Sequence, residues 1–367
     1  MTANTPISED KMVEWSVDWL KARLSDRWEI APSGRSQLQS PDGGFDAAID
    51  MRAPNGINTT MIIVAKTVVE PANVTRLFTG LGRTMRSLAN NVPILIVAPW
   101  LSKRTRELLA QERINYIDLT GNALIRLDDP TLYIEVQGAA RDPAPRARGK
   151  ARVQGPKAGR LIRYLVDIAP PYGVRELADA SSLNPGYVSR LLETLEHEAL
   201  VSRAKRGNVE SVNVQALLQR WSVSYDIFRS NKARRFVAPE GAVPAMQKLR
   251  RFTSECAITG SFAAIRFEQI TAPTLLAVFT TNSEQVIEEL RLIPSDSGSN
   301  MLLLQPFDNV VFERSVLDDG IRYVAPSQIA VDCLTGNGRM PAEGEAVVAW
   351  MVANEGIWRK PSLPEAG

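Results

Sequence analysis

The side chains best suited to chemistry in this 367-residue chain are hydrogen-bonding and cationic groups gathered in one stretch, SLNPGYVSRLLETLEHEALVSRAKRGNVESVNV, residues 182 to 214. Asn184, Tyr187, Ser189 and Arg190 lie in the leading half of an amphipathic helix whose inward stripe is Val188, Leu191, Leu192 and Leu195. Short polar groups beside a long cation are what reading base edges in a major groove requires. Arg203, Lys205, Arg206 and Asn208 follow in a basic hairpin, suited to neutralising phosphates. Glu193, Glu196 and Glu198 keep to the trailing half of the helix, away from the end a polyanion would meet.

Other chemistries find little material. His197 is the only histidine, so zinc sites with two imidazoles are excluded, and its place between Glu196 and Glu198 late in a helix is that of a solvated or half-packed residue rather than a catalyst. Cys256 and Cys333 stand far apart in apolar surroundings without a C-x-x-C spacing, which predicts buried, reduced thiols. No metal and no cofactor is expected. Lys plus Arg total 43 against 41 Asp plus Glu, a net charge of +2, so affinity for a polyanion has to come from clustering. Hydrophobic content of 44% and charged content of 23% describe an ordinary globular chain. It has neither a membrane-length apolar run nor a leader pattern at its start, which predicts a cytoplasmic protein without membrane contact.

The elements that must position these groups follow from periodicity. EDKMVEWSVDWLKARL predicts a helix with Met12, Trp15, Trp19 and Leu20 on one face and Ser8 as its N-cap. The apolar runs AAIDMRA and TTMIIVAKTV flank the turn PNGIN, a helix is expected over 73–88, and VPILIVAP, a helix opening at Ser102, and INYIDLTG complete a strand–helix–strand crossover. This makes residues 1–140 an α/β domain. Residues 141–156 form a linker in which Arg146, Arg148, Lys150 and Arg152 read both as a solvated connection and as a basic arm for phosphate or the minor groove. From residue 157 to 236 the order is helix, short helix, turn, helix and hairpin with Gly207-Asn208 at its bend, the order of a winged helix-turn-helix. Residues 237–367 alternate both element types again, an α/β or α+β domain.

Several stretches carry resemblances. VRELADASSLNPGYVSRLLETLEHEALVSR, CAITGSFAA and VDCLTGNGRMPAEGEAVVAWMVANEGIW resemble AbiEi-type antitoxin regulators of phage-defence systems, over roughly residues 157 to 358. That resemblance implies a winged helix on operator DNA and a C-terminal domain supporting antitoxin function, with a toxin as possible partner; the large N-terminal domain departs from its pattern. The N-terminal domain resembles the PD-(D/E)xK nuclease fold. There the resemblance assigns metal-binding acids and a lysine to adjacent strand ends, with Asp50 and Lys66 in the outer positions and Val64 where the second acid belongs, so that cleavage requires Glu70 or Asp46 to substitute. Asp118, in YIDLTGN, reads as a turn-former. Gly260 and Ser261 resemble the turn that opens nucleotidyltransferase-like folds, but no D-x-D pair follows. The expectation is therefore a DNA-binding regulator rather than an enzyme, contacting double-stranded DNA as a homodimer. A metal-dependent nuclease and an antitoxin acting by protein contact are the alternatives.

Overall fold

A computed structural model describes residues 7–33, 45–72, 74, 92–143, 152–205, 207–252 and 256–364. These fall into two compact units, one within Met1–Arg148 with His197–Ala199, the other within Gly149–Glu196 and Leu200–Gly367. The whole is mixed α/β.

The first unit is built on a seven-stranded sheet whose spatial order is its chain order. Helix α1 (Glu9–Arg23) is capped by Ser8, whose side chain accepts the Lys11 N–H. Strands β1 (Glu29–Pro32), β2 (Ala47–Arg52) and β3 (Asn58–Ala65) form an antiparallel meander. Strand β4 (Ile94–Ala98), helix α2 (Lys103–Gln111, capped by Ser102) and β5 (Asn115–Asp118) complete the expected crossover, with β3, β4 and β5 parallel. Strands β6 (Ala123–Leu127) and β7 (Leu132–Val136) close the sheet antiparallel. The helix predicted over 73–88 lies, apart from Val74, outside the described residues.

Alternation along β3 sends Met61, Ile63 and Ala65 into one apolar cluster with Met12, Trp19 and Leu20 of α1. Ile62 and Val64 enter the opposite cluster with Leu101 and Leu109. A strand buried on both faces reads as a continuous apolar run, which is why β3 shows no polar period. Asp118 is the turn-former its sequence suggests: its carboxylate accepts from the backbone N–H groups of Leu101, Thr120 and Asn122, all at 3.0 Å.

The second unit joins the helix-turn-helix to another seven-stranded sheet. It opens with α3 (Pro156–Asp167), α4 (Val174–Ser181), α5 (Pro185–His197), β8 (Val201–Arg203), β9 (Val209–Val212) and α6 (Val214–Ser222). Strand β10 (Lys232–Val237), α7 (Ala242–Lys248), β11 (Cys256–Thr259), β12 (Leu276–Thr280), α8 (Ser283–Leu290), β13 (Ile293–Pro294), β14 (Met301–Gln305), β15 (Val316–Asp318) and β16 (Ile321–Tyr323) follow. Helices α9 (Pro326–Leu334) and α10 (Met340–Ala353) pack together at the end. The sheet order is β13-β10-β14-β12-β11-β16-β15, with β12 parallel to β14 and β11 parallel to β16. A boundary at 236/237 cuts through β10, and one hydrophobic core runs from Val153 of the linker through α3, α5 and α6 to Met351 of α10. The winged helix and the second sheet share that core, because α6 packs on α3 and also on α9 and α10.

A buried polar seam crosses the same junction. Arg163 on α3 is wholly buried and donates to Asp167 at 3.1 Å, to Gln328 of α9 at 2.9 Å and to the Glu313 carbonyl at 3.1 Å. Arg314 and Ser327 also donate to Asp167. Gln328 passes the chain on to Asp332 (2.8 Å), which further accepts from Tyr225 and Thr259, each at 2.6 Å. Burial disfavours the Asp167 anion, but Arg163 and Arg314 outweigh it and hold the carboxyl below its ordinary range. Burial of Asp332 prevails over its hydrogen bonds and lifts it to about 6.

Candidate nucleic-acid interface

The interface is assembled by local rules. Pro156 at the first helical position starts α3, and the preceding Gly155, at φ +81°, takes the left-handed conformation the entry needs. Leu161, Ile162, Leu165 and Val166 are all buried, as the periodicity predicts. Tyr172 bridges Val209 on both sides of the backbone, adding a third strand segment to the wing. The Glu176 carboxylate accepts the Gly173 N–H at 2.8 Å, fixing the start of α4. Ser182 ends α4 in the left-handed region at φ +54°.

The turn into α5 is set by Asn184. Its Oδ1 accepts from the Gly186 N–H at 2.9 Å and the Tyr187 N–H at 3.3 Å, so the side chain expected to read bases is also the helix cap. Val188, Leu191, Leu192 and Leu195 are fully buried, and Asn184, Ser189 and Arg190 are exposed. The Arg190 guanidinium leans toward the helix N-terminus, near enough that a Cβ on Gly186 would sit 3.7 Å from its Nη1. Among the described residues it has no ion-pair partner. Tyr187 is half-buried against the core, and burial raises its phenol pKa, so it stays a neutral donor and acceptor at physiological pH.

Residues 157–204 match the model of the IclR helix-turn-helix domain. The chain thus carries an IclR-type DNA-binding helix-turn-helix domain, with α3, α4 and α5 as its three helices. No curated protein and no solved structure matches the chain.

Beyond the third helix of the helix-turn-helix domain, the wing turns as the sequence suggests, with Gly207 at φ +89° and its N–H donated to the Ala204 carbonyl at 2.8 Å. Lys205 is exposed at the bend; Arg206 lies outside the described residues. Two wing residues depart from the expected phosphate role. Arg203 is only 18% exposed, and its Nε and Nη2 donate to Glu196 Oε2 at 2.9 and 2.5 Å. Strand alternation explains this, since Arg203 falls on the same inward side as buried Val201 and meets the acid of α5 there. Asn208 is exposed, but its Oδ1 lies beside Gly173 at the start of α4 rather than at the tip. Of the basic arm, Arg152 is exposed just before α3, and Arg146, Arg148 and Lys150 lie outside the described residues. Arg175, exposed in the first turn of α4, is one cation the sequence pattern did not single out; neighbouring Glu176 and Asp179 dilute its signal.

In the first unit, the register corrects the acid–lysine pairing. Asp50 lies opposite Thr60, whose hydroxyl donates to it at 2.6 Å, whereas Ala47 lies opposite Ile63. Asp46 is therefore the acid near Lys66: its Oδ2 is 3.6 Å from the lysine Nζ and accepts the Ala65 N–H at 2.8 Å. Glu9 of α1 stands 3.7 Å from the same Nζ. Val64, in the place of the second acid, is buried among apolar side chains. Among the described residues no cluster of three or more His, Cys, Asp or Glu could hold a metal, and no helix is long and apolar enough to cross a membrane.

Proposed function

We propose that the protein is a sequence-specific transcriptional regulator whose α5 enters the major groove of its operator. Asn184, Tyr187, Ser189 and Arg190 read bases, and Lys205 with Arg206 and the basic arm engages the backbone. The observation that carries this reading is the outer face at the leading end of α5, where Ser189 and Arg190 are exposed and Arg190 has no ion-pair partner among the described residues, within a domain matched to a DNA-binding family. A homodimer on a two-fold operator belongs to the same proposal, as does intracellular action where the DNA is. So does the AbiEi-like relationship, supported by the quoted phrases of the second unit; co-purification with the product of an adjacent gene tests its toxin partner.

The first unit is proposed to be a nuclease-like module without cleavage activity. Its antiparallel meander continued by parallel strands, with a helix packed in each apolar cluster, and the Asp46–Lys66 contact support the likeness. Val64 argues against activity, because a hard divalent cation would lose a main ligand there. The nucleotidyltransferase-like reading of the second sheet is supported by Gly260, at φ +64°, turning into Ser261. Ser261 donates to Glu343 at 2.6 Å, and no D-x-D pair follows, so the turn serves packing.

Genome-wide mapping of bound sites in living cells, followed by footprinting of the strongest, tests the regulator. A small set of sites sharing a two-fold motif is expected. A map without sequence preference, or an Arg190→Ala protein with an unchanged motif, would refute the assignment of α5 as the reader.

A further inference from the structure

The wing holds an arginine that its own helix has claimed. Arg203 stands at the end of β8, immediately before the hairpin bend, and the pairing of β8 with β9 shifts register between Ser202 and Arg203. On the outer side of this ladder Ser202 and Ser211 share a hydrogen bond of 2.6 Å. On the inner side two guanidinium nitrogens of Arg203 converge on one oxygen of Glu196, with the two side chains 18% and 27% exposed. A partly buried, two-donor contact of this kind is stronger and better directed than a surface ion pair. It ties the last turn of α5 to the end of β8 beside the wing's bend, and the relative angle of helix and wing decides whether base and phosphate contacts form together.

We propose that Glu196 is a positioning residue for DNA recognition: it latches Arg203 as a strut between α5 and the wing and withholds that cation from phosphate. This rests on the reading of α5 and the wing as the DNA-contacting elements. The latch has two consequences. It fixes the wing angle, so the bend cation Lys205 arrives in register with the base contacts of α5. It also removes one sequence-independent phosphate ligand, which raises the ratio of specific to non-specific binding.

The test compares full-length wild type with Glu196→Ala, Arg203→Met, the double variant, and Glu210→Ala. Glu210 is an exposed acid on β9, outside the Glu196–Arg203 contact, so its variant makes the same charge change without touching the latch. Each is titrated between 50 and 200 mM salt against a random-sequence duplex and against a duplex enriched from a random library by wild type. Freed Arg203 adds about one phosphate contact, so Glu196→Ala is expected to lose about threefold more random-duplex affinity across that range than wild type. Its preference for the enriched duplex should fall, Glu210→Ala should leave the slope near wild type, and the double variant should return to it. Arg203→Met alone should keep the wild-type slope while binding the enriched duplex more weakly.

A slope reduced by about one in Arg203→Met would mean that this arginine already sits on phosphate, and the latch would be wrong. That arm stands by itself even where Glu196→Ala folds poorly. An unchanged slope in a folded Glu196→Ala, or an equal change in Glu210→Ala, would also overturn it. Absence of salt-dependent binding by wild type to any duplex would instead sink the DNA-binding reading, and the latch with it.

Discussion

Arg163 and Arg190 belong to the same helix-turn-helix domain and have opposite fates. Arg163 is enclosed between α3 and α9, with its guanidinium committed to Asp167, Gln328 and a backbone carbonyl. Arg190 stands exposed on α5 and pairs with no acid among the described residues. An enclosed, fully bonded charge specifies how two elements meet and is costly to disturb. An exposed cation contributes little to the fold and is available for a ligand. The seam thus ties the helix-turn-helix domain to the second sheet, and the outer face of α5 is left for recognition.

The comparison can be broken first at the seam. Arg163→Ala takes one of two cations from buried Asp167 and the donors from Gln328 Oε1 and the Glu313 carbonyl, and should cost about 3–5 kcal/mol in denaturant unfolding of the full chain. If it costs less than about 1 kcal/mol, the seam is wet and the contrast with α5 fails. The two buried acids offer a second test, with opposite signs. Asp332 has a raised folded pKa, about 6, so the native state holds its proton more tightly. Its contribution to stability is therefore largest at low pH and is lost as pH rises from about 4 to about 6, by roughly 3 kcal/mol. Asp167 is held below its ordinary range, so its stabilisation is present above pH about 4 and is lost as pH falls through its depressed value. Unfolding measured from pH 3 to 7 should show the fall between pH 4 and 6 in wild type and not in Asp332→Asn.

At the surface, Arg190→Ala should leave the melting temperature unchanged and remove about 1–3 kcal/mol of discrimination between the enriched and random duplexes in competition binding. Lys205→Ala should weaken all duplexes alike and lower the salt slope by about one. The smallest effect is expected in the first unit. Asp46→Asn weakens a part-exposed contact with Lys66, while the amide oxygen can still accept the Ala65 N–H, and should change stability by no more than about 1 kcal/mol. Supercoiled plasmid with Mg²⁺ or Mn²⁺ should remain intact with wild type; nicking that disappears in Asp46→Asn would restore the nuclease alternative.

Much of the fold was legible because its signals are local. Ser8 and Ser102 cap the helices they were expected to cap, and the stripe of Val188, Leu191, Leu192 and Leu195 faces inward. The crossover into parallel strands also followed from the strand–helix–strand pattern. The site was legible only in part. Asp50 and Lys66 were placed in the outer positions of a motif by resemblance, but an antiparallel register pairs residues by their distance from the turn. That count brings Asp46 to the lysine and Asp50 to Thr60. Arg203 was grouped with Lys205 because they are close in the chain, while strand alternation turns it inward toward Glu196.

The sequence by itself determined which segments are helix, strand and turn, and where exposed polar groups concentrate, since periodicity, caps and glycine conformations are properties of short stretches. Only the tertiary structure decided which charges are spent on each other. Arg163 meets Gln328, 165 positions away, and Arg160 pairs with Asp308 and Glu313, because α3, α6 and α9 bury a common apolar face and bring those groups together. Partnership between charges depends on proximity in space, and burial then sets what each pair is worth.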